Sequence, residues 1–474
     1  MSNNSKTISL CMIVKDEESY IESCIKSVLP IIDEIIVVDT GSVDGTTEIA
    51  KRYGAKIFHH KWEYSFSAAR NVYIKHAAMD WILVLDADER VDSESLLGID
   101  NLVSDKGDFM GFSFILRNYT NDSTTLGWSP SEENNHFRNE FSGWYPTHSI
   151  RLFRNRKDIY YTRTVHESVR ESINKIHGKI MDVDIPIHHL GNRRGKENKS
   201  AKMEMYERLG KRQIKLEPKD AQAYFELGRI YRERGEHEMA EKILKKANEI
   251  DEGYPQIHNE LGTVYLRQER LDDAMRALKK AVLLDPFFAD AHYNLGNLYE
   301  RLNEYDKAME SYRKATEINP QFANAYNNLG LILDERGEIN EAIEAYMKAI
   351  EINPDLALSY NNLGISLLKV SKFYDAIESF KKAIGLDNTY FKAHYNLGNA
   401  YAKMDMYKDA VRQYLKCIEI DPEAPEPFFN LGLIHSVKLH DNVRAMNYWK
   451  RYIELKPESA EALAIIKLFD FTVN

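Results

Sequence analysis

Residues Asp80 to Arg90 read DWILVLDADER. Five apolar residues, Trp81 to Leu85, give way at once to Asp86, Asp88 and Glu89. An unbroken apolar run without alternation predicts a strand covered on both faces, as in the sheets of α/β domains. Three carboxylates crowded at the end of such a strand repel one another and lose hydration. The stretch therefore predicts that positive charge comes to sit among them.

Upstream, apolar runs alternate with helical patterns: SLCMIV, a helix over 17–28, EIIVVD, a helix over 45–53, AKIF, a helix over 67–78, then WILVLD. Strands separated by helices predict a mostly parallel sheet with ligands at its carboxyl edge. Polar clusters fall at that edge. Lys15-Asp16-Glu17 follows the first strand, Asp39 to Thr46 (DTGSVDGT) the second, and Asp86-Ala87-Asp88 the fourth.

In this order, CMIVKDEE, EIIVVDTGSVDGT, SAARN (Ser67 to Asn71) and WILVLDADE closely resemble family 2 glycosyltransferases of the GT-A fold. The resemblance is tight over residues 6–95 and looser to 195. It implies an α/β GT-A domain over residues 1–198 that uses a nucleoside diphosphate sugar, with a UDP-sugar as the expected donor. The departing diphosphate needs neutralising, which a divalent cation on oxygen ligands does, so Mn2+ or Mg2+ is the implied cofactor. By resemblance, Asp88 ligates the metal and Asp86 holds the ribose, or the metal through water. Asp39 would accept a hydrogen bond from the uracil ring, and Arg70 would lie against the base or the diphosphate. Asp44 is either a nucleotide contact or the cap of a helix beginning at Gly45. Lys15 is either a neighbour of the nucleotide or a solvated loop charge. Without a ligand the strand end would simply be solvated, with Glu89 and Arg90 pairing.

From Gly143 the chain reads GWYPTHSIRLFRNRKDIYYTRTVHESV, and from Asp184 DIPIHHLG. Related transferases show an RLFR segment, a following HE pair and a late HxG. Carried over, Glu167 becomes the candidate catalytic base that takes the acceptor's proton. His189 becomes a candidate metal ligand with Asp88 and Asp86. The doublet His188-His189 leaves open which ring faces the metal, and His166 and His188 read as structural. The polar stretch Asn118 to Glu140 reads as a long loop over the site. Trp128, Trp144 and Tyr145 either line a sugar or acceptor path or pack in the core.

The second half repeats. Leu-Gly pairs stand at 227–228, 261–262, 295–296, 329–330, 363–364, 397–398 and 431–432, always 34 residues apart. Alanine follows twelve residues after each of the first six glycines, and Pro218, Pro286, Pro320, Pro354 and Pro422 close most units. The pattern resembles the tetratricopeptide repeat, whose paired helices pack closely where Gly and Ala leave room. The expected layout is a linker helix over 199–220, seven repeats over 221–456 in an all-α TPR superhelical solenoid, and a capping helix over 457–474. The seventh repeat runs one residue late, which predicts an insertion near His440-Asp441. Two residues before five of the glycines stand Asn294, Asn328, Asn362, Asn396 and Asn430. Facing a groove, these amides can hold the backbone of an extended polypeptide, as repeat-bearing protein glycosyltransferases imply. Equally, they can make local hydrogen bonds.

A chain of 474 residues exceeds one ordinary core. Its net charge of −10 opposes general binding to nucleic acid or acidic membranes. Cys11, Cys24 and Cys417 form no metal or disulfide spacing and no apolar run reaches the length of a membrane span, which predicts a reduced, cytoplasmic protein. The leading expectation is a metal-dependent, inverting transferase acting on a Ser, Thr or Cys side chain of a polypeptide recruited by the repeats. The repeat ends offer a route to a homodimer. A saccharide or lipid-linked acceptor is one alternative, and a non-catalytic repeat scaffold another. The intact set Asp39, Asp86 and Asp88 speaks against the scaffold.

Overall fold

The computed structural model describes residues 6–104, 107–120, 129–130, 141, 143–162, 167–191 and 198–469. The chain divides into two compact units, Met1–Leu298 and Tyr299–Asn474.

The first unit carries a nine-stranded sheet. Strands β1 (Ile8–Val14), β2 (Glu34–Asp39), β3 (Lys56–His59) and β4 (Trp81–Val84) are parallel in the order β3-β2-β1-β4. They are joined by α1 (Ile21–Val28), α2 (Thr46–Arg52) and α3 (Phe66–His76). Residues Trp81 to Leu85 are at most 1% exposed, as an unbroken apolar run requires. The faces divide cleanly: Leu10, Met12, Val37 and Leu83 enter one core, while Cys11, Ile36, Val38 and Val84 meet Ala69 and Tyr73 of α3 in another.

The four strands expected to be parallel are parallel, and beyond β4 the sheet is mixed. After β5 (Glu89–Arg90) and α4 (Ser93–Ser104) come the long strands β6 (Phe109–Thr120) and β8 (Gly143–Arg154), with β7 (Ser129–Pro130) between them in sequence. β8 lies antiparallel between β4 and β6. A parallel pair needs a crossover connection, whereas antiparallel neighbours do not. A short α5 (Arg170–Lys175) leads to β9 (Lys179–His189), which pairs parallel with β6 and antiparallel with β5. That last register sets Glu89 opposite His189, and so unites the strand-end acids with the histidine doublet.

Helix α6 (Asn198–Leu216) precedes the repeat helices α7 (Ala221–Glu233), α8 (His237–Ile250), α9 (Pro255–Arg267) and α10 (Leu271–Leu284). In the second unit, paired helices run from Tyr305–Ile318 to Asn442–Leu455, and Ala462 and Ile465 of the last helix, Ala460–Phe469, cover Trp449 and Tyr452. The period follows from close packing. A Cβ on Gly364 would stand 2.6 Å from the Phe380 ring, and one on Gly398 2.7 Å from the Tyr414 ring. Each turn within a repeat places one residue in the left-handed region: Gly235, Glu269, Asn303, Gly337, Ser371 and Asp405, every 34 residues, then His440 one residue late. The extra residue is absorbed upstream of the expected His440-Asp441 turn, in a π-helical stretch over Ile434–Lys438. A π turn takes up one added residue without breaking the helix. Among the described residues, no helix is long and apolar enough to cross a membrane.

Candidate active site

The positive charge among the strand-end acids comes first from the chain itself. Arg70 of α3 donates from Nη2 to Asp86 at 3.1 Å and from Nε to Glu167 at 2.7 Å. Arg151 of β8 donates to the other oxygen of Asp86 at 3.2 Å and to Glu89. The result is an alternating row, Glu167–Arg70–Asp86–Arg151–Glu89, with both arginines and Glu89 buried. Burial opposes ionisation of Asp86, yet the two guanidiniums hold its carboxyl well below the usual range. Burial pushes the Glu89 carboxyl upward against the pull of Arg151.

Glu89 pairs with Arg151, and the Arg90 guanidinium donates to the carbonyls of Ala87, Glu89 and Tyr20. Arg70, expected beside the base or diphosphate, is buried between two carboxylates.

Asp88 meets His189 instead, with Oδ2 3.6 Å from Nε2. The ring's orientation is set by Asn118. The Asn118 amide donates to the carbonyls of Leu116 and Tyr145 and to the Thr147 hydroxyl, which leaves its Oδ1 to accept from His189 Nδ1 at 2.7 Å. With the proton on Nδ1, the neutral ring turns a lone pair on Nε2 toward Asp88; metal-binding histidines are oriented in this way. Burial would lower the His189 pKa, but the carboxylates of Asp88, Glu89 and Asp86 outweigh it and raise it. Gly191 leaves the neighbouring space open, since a Cβ there would stand 2.8 Å from Nε2 and 2.9 Å from Asp88 Oδ2. His188 turns away, bonded through Nδ1 to the Tyr119 hydroxyl and through Nε2 to Asp92. His189 is thus the member of the doublet that faces Asp88. The three expected ligands do not converge, because Asp86 is turned to the arginines; no group of three acidic, histidine or cysteine ligands gathers among the described residues.

Along the same edge, Asp39 ends β2, buried, accepting from Ser42 N at 2.9 Å and pairing with His59 Nδ1 at 3.1 Å. Burial disfavours its charge, but Ser42 and His59 hold the carboxyl below its usual range. Asp44 accepts from the N–H groups of Thr46 and Glu18 in an Asx turn just ahead of α2, whose N-cap is Gly45. Lys15 is exposed. Trp144 lies under the Arg117 guanidinium at 4.6 Å and packs against Tyr119, Phe141 and Leu190, and Tyr145 is half-buried. Trp128 and His166 lie outside the described residues, as does most of the stretch 118–140. Arg151, Asn118 and His59 went unassigned in the sequence. Only the RLFR segment pointed toward the first, and its partner Glu89 is 62 residues away.

The asparagine ladder bonds from repeat to repeat. Asn294 donates to Asn259 at 2.9 Å, Asn362 to Asn327 at 3.1 Å and Asn396 to Asn361 at 3.0 Å, each 35 residues back. Asn430 reaches the Tyr395 hydroxyl and Asn328 the Tyr312 hydroxyl. Each of the five amides thus spends at least one hydrogen on a partner within the repeats.

Residues 9–164 match Glycosyl transferase family 2. Tetratricopeptide repeat families match 221–254, 289–322, 323–356 and 391–423, among other stretches. A TPR repeat-containing protein of Synechococcus elongatus is 40% identical over 166 residues, 35% of this chain and 36% of its own length. The SPbeta prophage-derived glycosyltransferase SunS of Bacillus subtilis is 28% identical over 231 residues, 48% of this chain and 50% of its own. The solved structure of Pseudomonas aeruginosa pilF is 25% identical, covering 46% of this chain and 98% of its own with a TM-score of 0.41. The chain thus spans between 36% and 50% of the length of these curated relatives. It joins a family 2 glycosyltransferase domain to a run of tetratricopeptide repeats.

Proposed function

We propose that the chain moves a sugar, with inversion, from a UDP-sugar to a Ser, Thr or Cys side chain of a polypeptide. The observation that carries this reading is the Asp88–His189 pair beside the gap at Gly191, at the carboxyl edge of the sheet. A carboxylate oxygen and an oriented imidazole nitrogen suit Mn2+, and fit Mg2+ less well. Bound there, a divalent cation would offset charge developing on the diphosphate. Asp39 and His59, on the same edge, are suited to the polar rim of a uracil ring. Glu167 spends Oε1 on Arg70 and would use Oε2 to take the proton from the acceptor O–H or S–H. As that atom bonds to the anomeric carbon, the bond to the UDP oxygen breaks and UDP leaves with the electron pair. The repeats support a polypeptide acceptor because they are protein-binding modules.

The test is UDP release from UDP-glucose and UDP-N-acetylglucosamine with and without Mn2+, followed by mass spectrometry of peptides offered as acceptors. Manganese-stimulated release that is lost in Asp88→Ala is expected. Release indifferent to manganese and to that substitution would overturn the reading.

A further inference from the structure

The stretch SAARN, Ser67 to Asn71, ends in two polar residues at consecutive positions of α3, whose side chains leave the helix about 100° apart. Arg70 donates from Nε to Glu167 Oε1 at 2.7 Å and from Nη2 to Asp86 at 3.1 Å. Its Nη1 donates to the Tyr73 hydroxyl at 3.4 Å, and the guanidinium lies over the Tyr161 ring, 5.5 Å from the ring centre. Each nitrogen of the fork thus has its own partner. Asn71 bonds twice to the backbone of Tyr161: Nδ2 donates to the carbonyl at 2.9 Å, and Oδ1 accepts from the N–H at 2.8 Å.

A side-chain amide that both donates to and accepts from one residue fixes the place and the orientation of that residue's backbone. Tyr161 is buried, and next to it the Thr162 N–H donates to the Ser168 carbonyl at 3.2 Å in an antiparallel bridge. Glu167 immediately precedes Ser168, and its side chain is 12% exposed. The segment that carries Glu167 is therefore fastened to α3 at two points, its backbone through Asn71 and its carboxylate through Arg70. A guanidinium that is buried, with all three nitrogens engaged by the protein, suits a fixed bracket better than a contact to a ligand that comes and goes.

We propose that Arg70 and Asn71 are positioning residues for Glu167: Asn71 sets the backbone of the segment that bears it, and Arg70 turns its carboxylate toward the acceptor. The proposal rests on the reading of Glu167 as the base. A base works only within hydrogen-bond reach of the proton it takes, so a displacement of about 1 Å lowers turnover and leaves donor binding alone. Because Arg70 acts through Glu167, losing it should matter little once Glu167 is replaced.

The test uses the full chain with UDP-glucose or UDP-N-acetylglucosamine, Mn2+, and peptides carrying Ser, Thr or Cys. Asn71→Ala and Arg70→Lys, which keeps the charge but not the fork, should each lower kcat by roughly 10–100-fold. The KM for the UDP-sugar should stay within about twofold in both. Glu167→Gln should lower kcat by roughly 10²–10⁴-fold. Adding Arg70→Lys to it should lower kcat by less than about a further twofold. Amide hydrogen exchange over Tyr161 and Thr162 should quicken in Asn71→Ala, with no substrate present. The proposal is overturned by a raised UDP-sugar KM at unchanged kcat, which would put Arg70 on the donor. Equal losses from Arg70→Lys with and without Glu167, or exchange at Tyr161 unchanged in Asn71→Ala, would also overturn it. Full turnover by Glu167→Gln alone would remove the base reading, and the proposal with it.

Discussion

Arg151 and Glu89, far apart in sequence, meet as a buried ion pair behind the strand-end acids, with the Arg151 side chain 8% and the Glu89 side chain 1% exposed. A buried pair contributes little net stability when intact, but breaking it strands a charge away from water. Arg151→Met should therefore destabilise the first unit by about 3–5 kcal/mol, measured by urea unfolding. Replacing both partners, Arg151→Met with Glu89→Leu, should recover much of that loss, because no unpaired charge remains buried.

Gly191→Ala separates the candidate metal site from the fold. The new methyl would fill the space beside Asp88 Oδ2 and His189 Nε2. Manganese titration of UDP release should show affinity weakened by about 10–100-fold, the range seen when ligand orientation is disturbed. Thermal unfolding should fall only slightly, because the atoms that must shift are the ends of two side chains and not backbone.

The link between α6 and α7 should be acid-sensitive. The hydrogen bond from Lys211, helped by Arg234 and Tyr231, lowers the Glu207 pKa to about 2 from 4.5. Because the folded value is the lower one, its contribution is present above pH 4.5 and fades as pH falls toward 2. Wild type should exceed Glu207→Gln in stability by no more than about 1 kcal/mol near pH 6, since solvent screens the pair. The two should draw together below pH 4.5 and converge near pH 2 when urea midpoints are compared.

What could be read in the sequence follows the range of the interaction responsible. The run Trp81 to Leu85 announces a doubly covered strand because burial on both faces leaves no alternation. The 34-residue period survives because each glycine meets the same helix face in every repeat. By contrast, Arg151 reaches Glu89 only through the pairing of β8 with β4 and of β5 with β9, which no local pattern encodes. The late seventh repeat reveals one added residue between Gly432 and His440 but not its place, since a turn or a π stretch shifts the period equally. The asparagine ladder was visible as a period. Its partners were not, because each lies on the preceding repeat.

Two glycines in neighbouring helices of one repeat should respond oppositely to the same change. Gly364 faces the buried Phe380 ring, and a Cβ would stand 2.6 Å from it, well inside van der Waals contact. Phe380 is fully buried and closely surrounded, so the ring has little room to retreat, and Gly364→Ala should cost about 1–3 kcal/mol. Gly385 lies near the end of Phe373–Leu386, exposed, with nothing within 4 Å of its would-be Cβ. There alanine restricts the unfolded chain and improves helix propensity without a clash, so Gly385→Ala should stabilise the second unit by about 0.5–1 kcal/mol. The measurement is thermal unfolding of each variant. A loss at both positions would mean that the helix end, rather than ring contact, sets the requirement for glycine in this repeat.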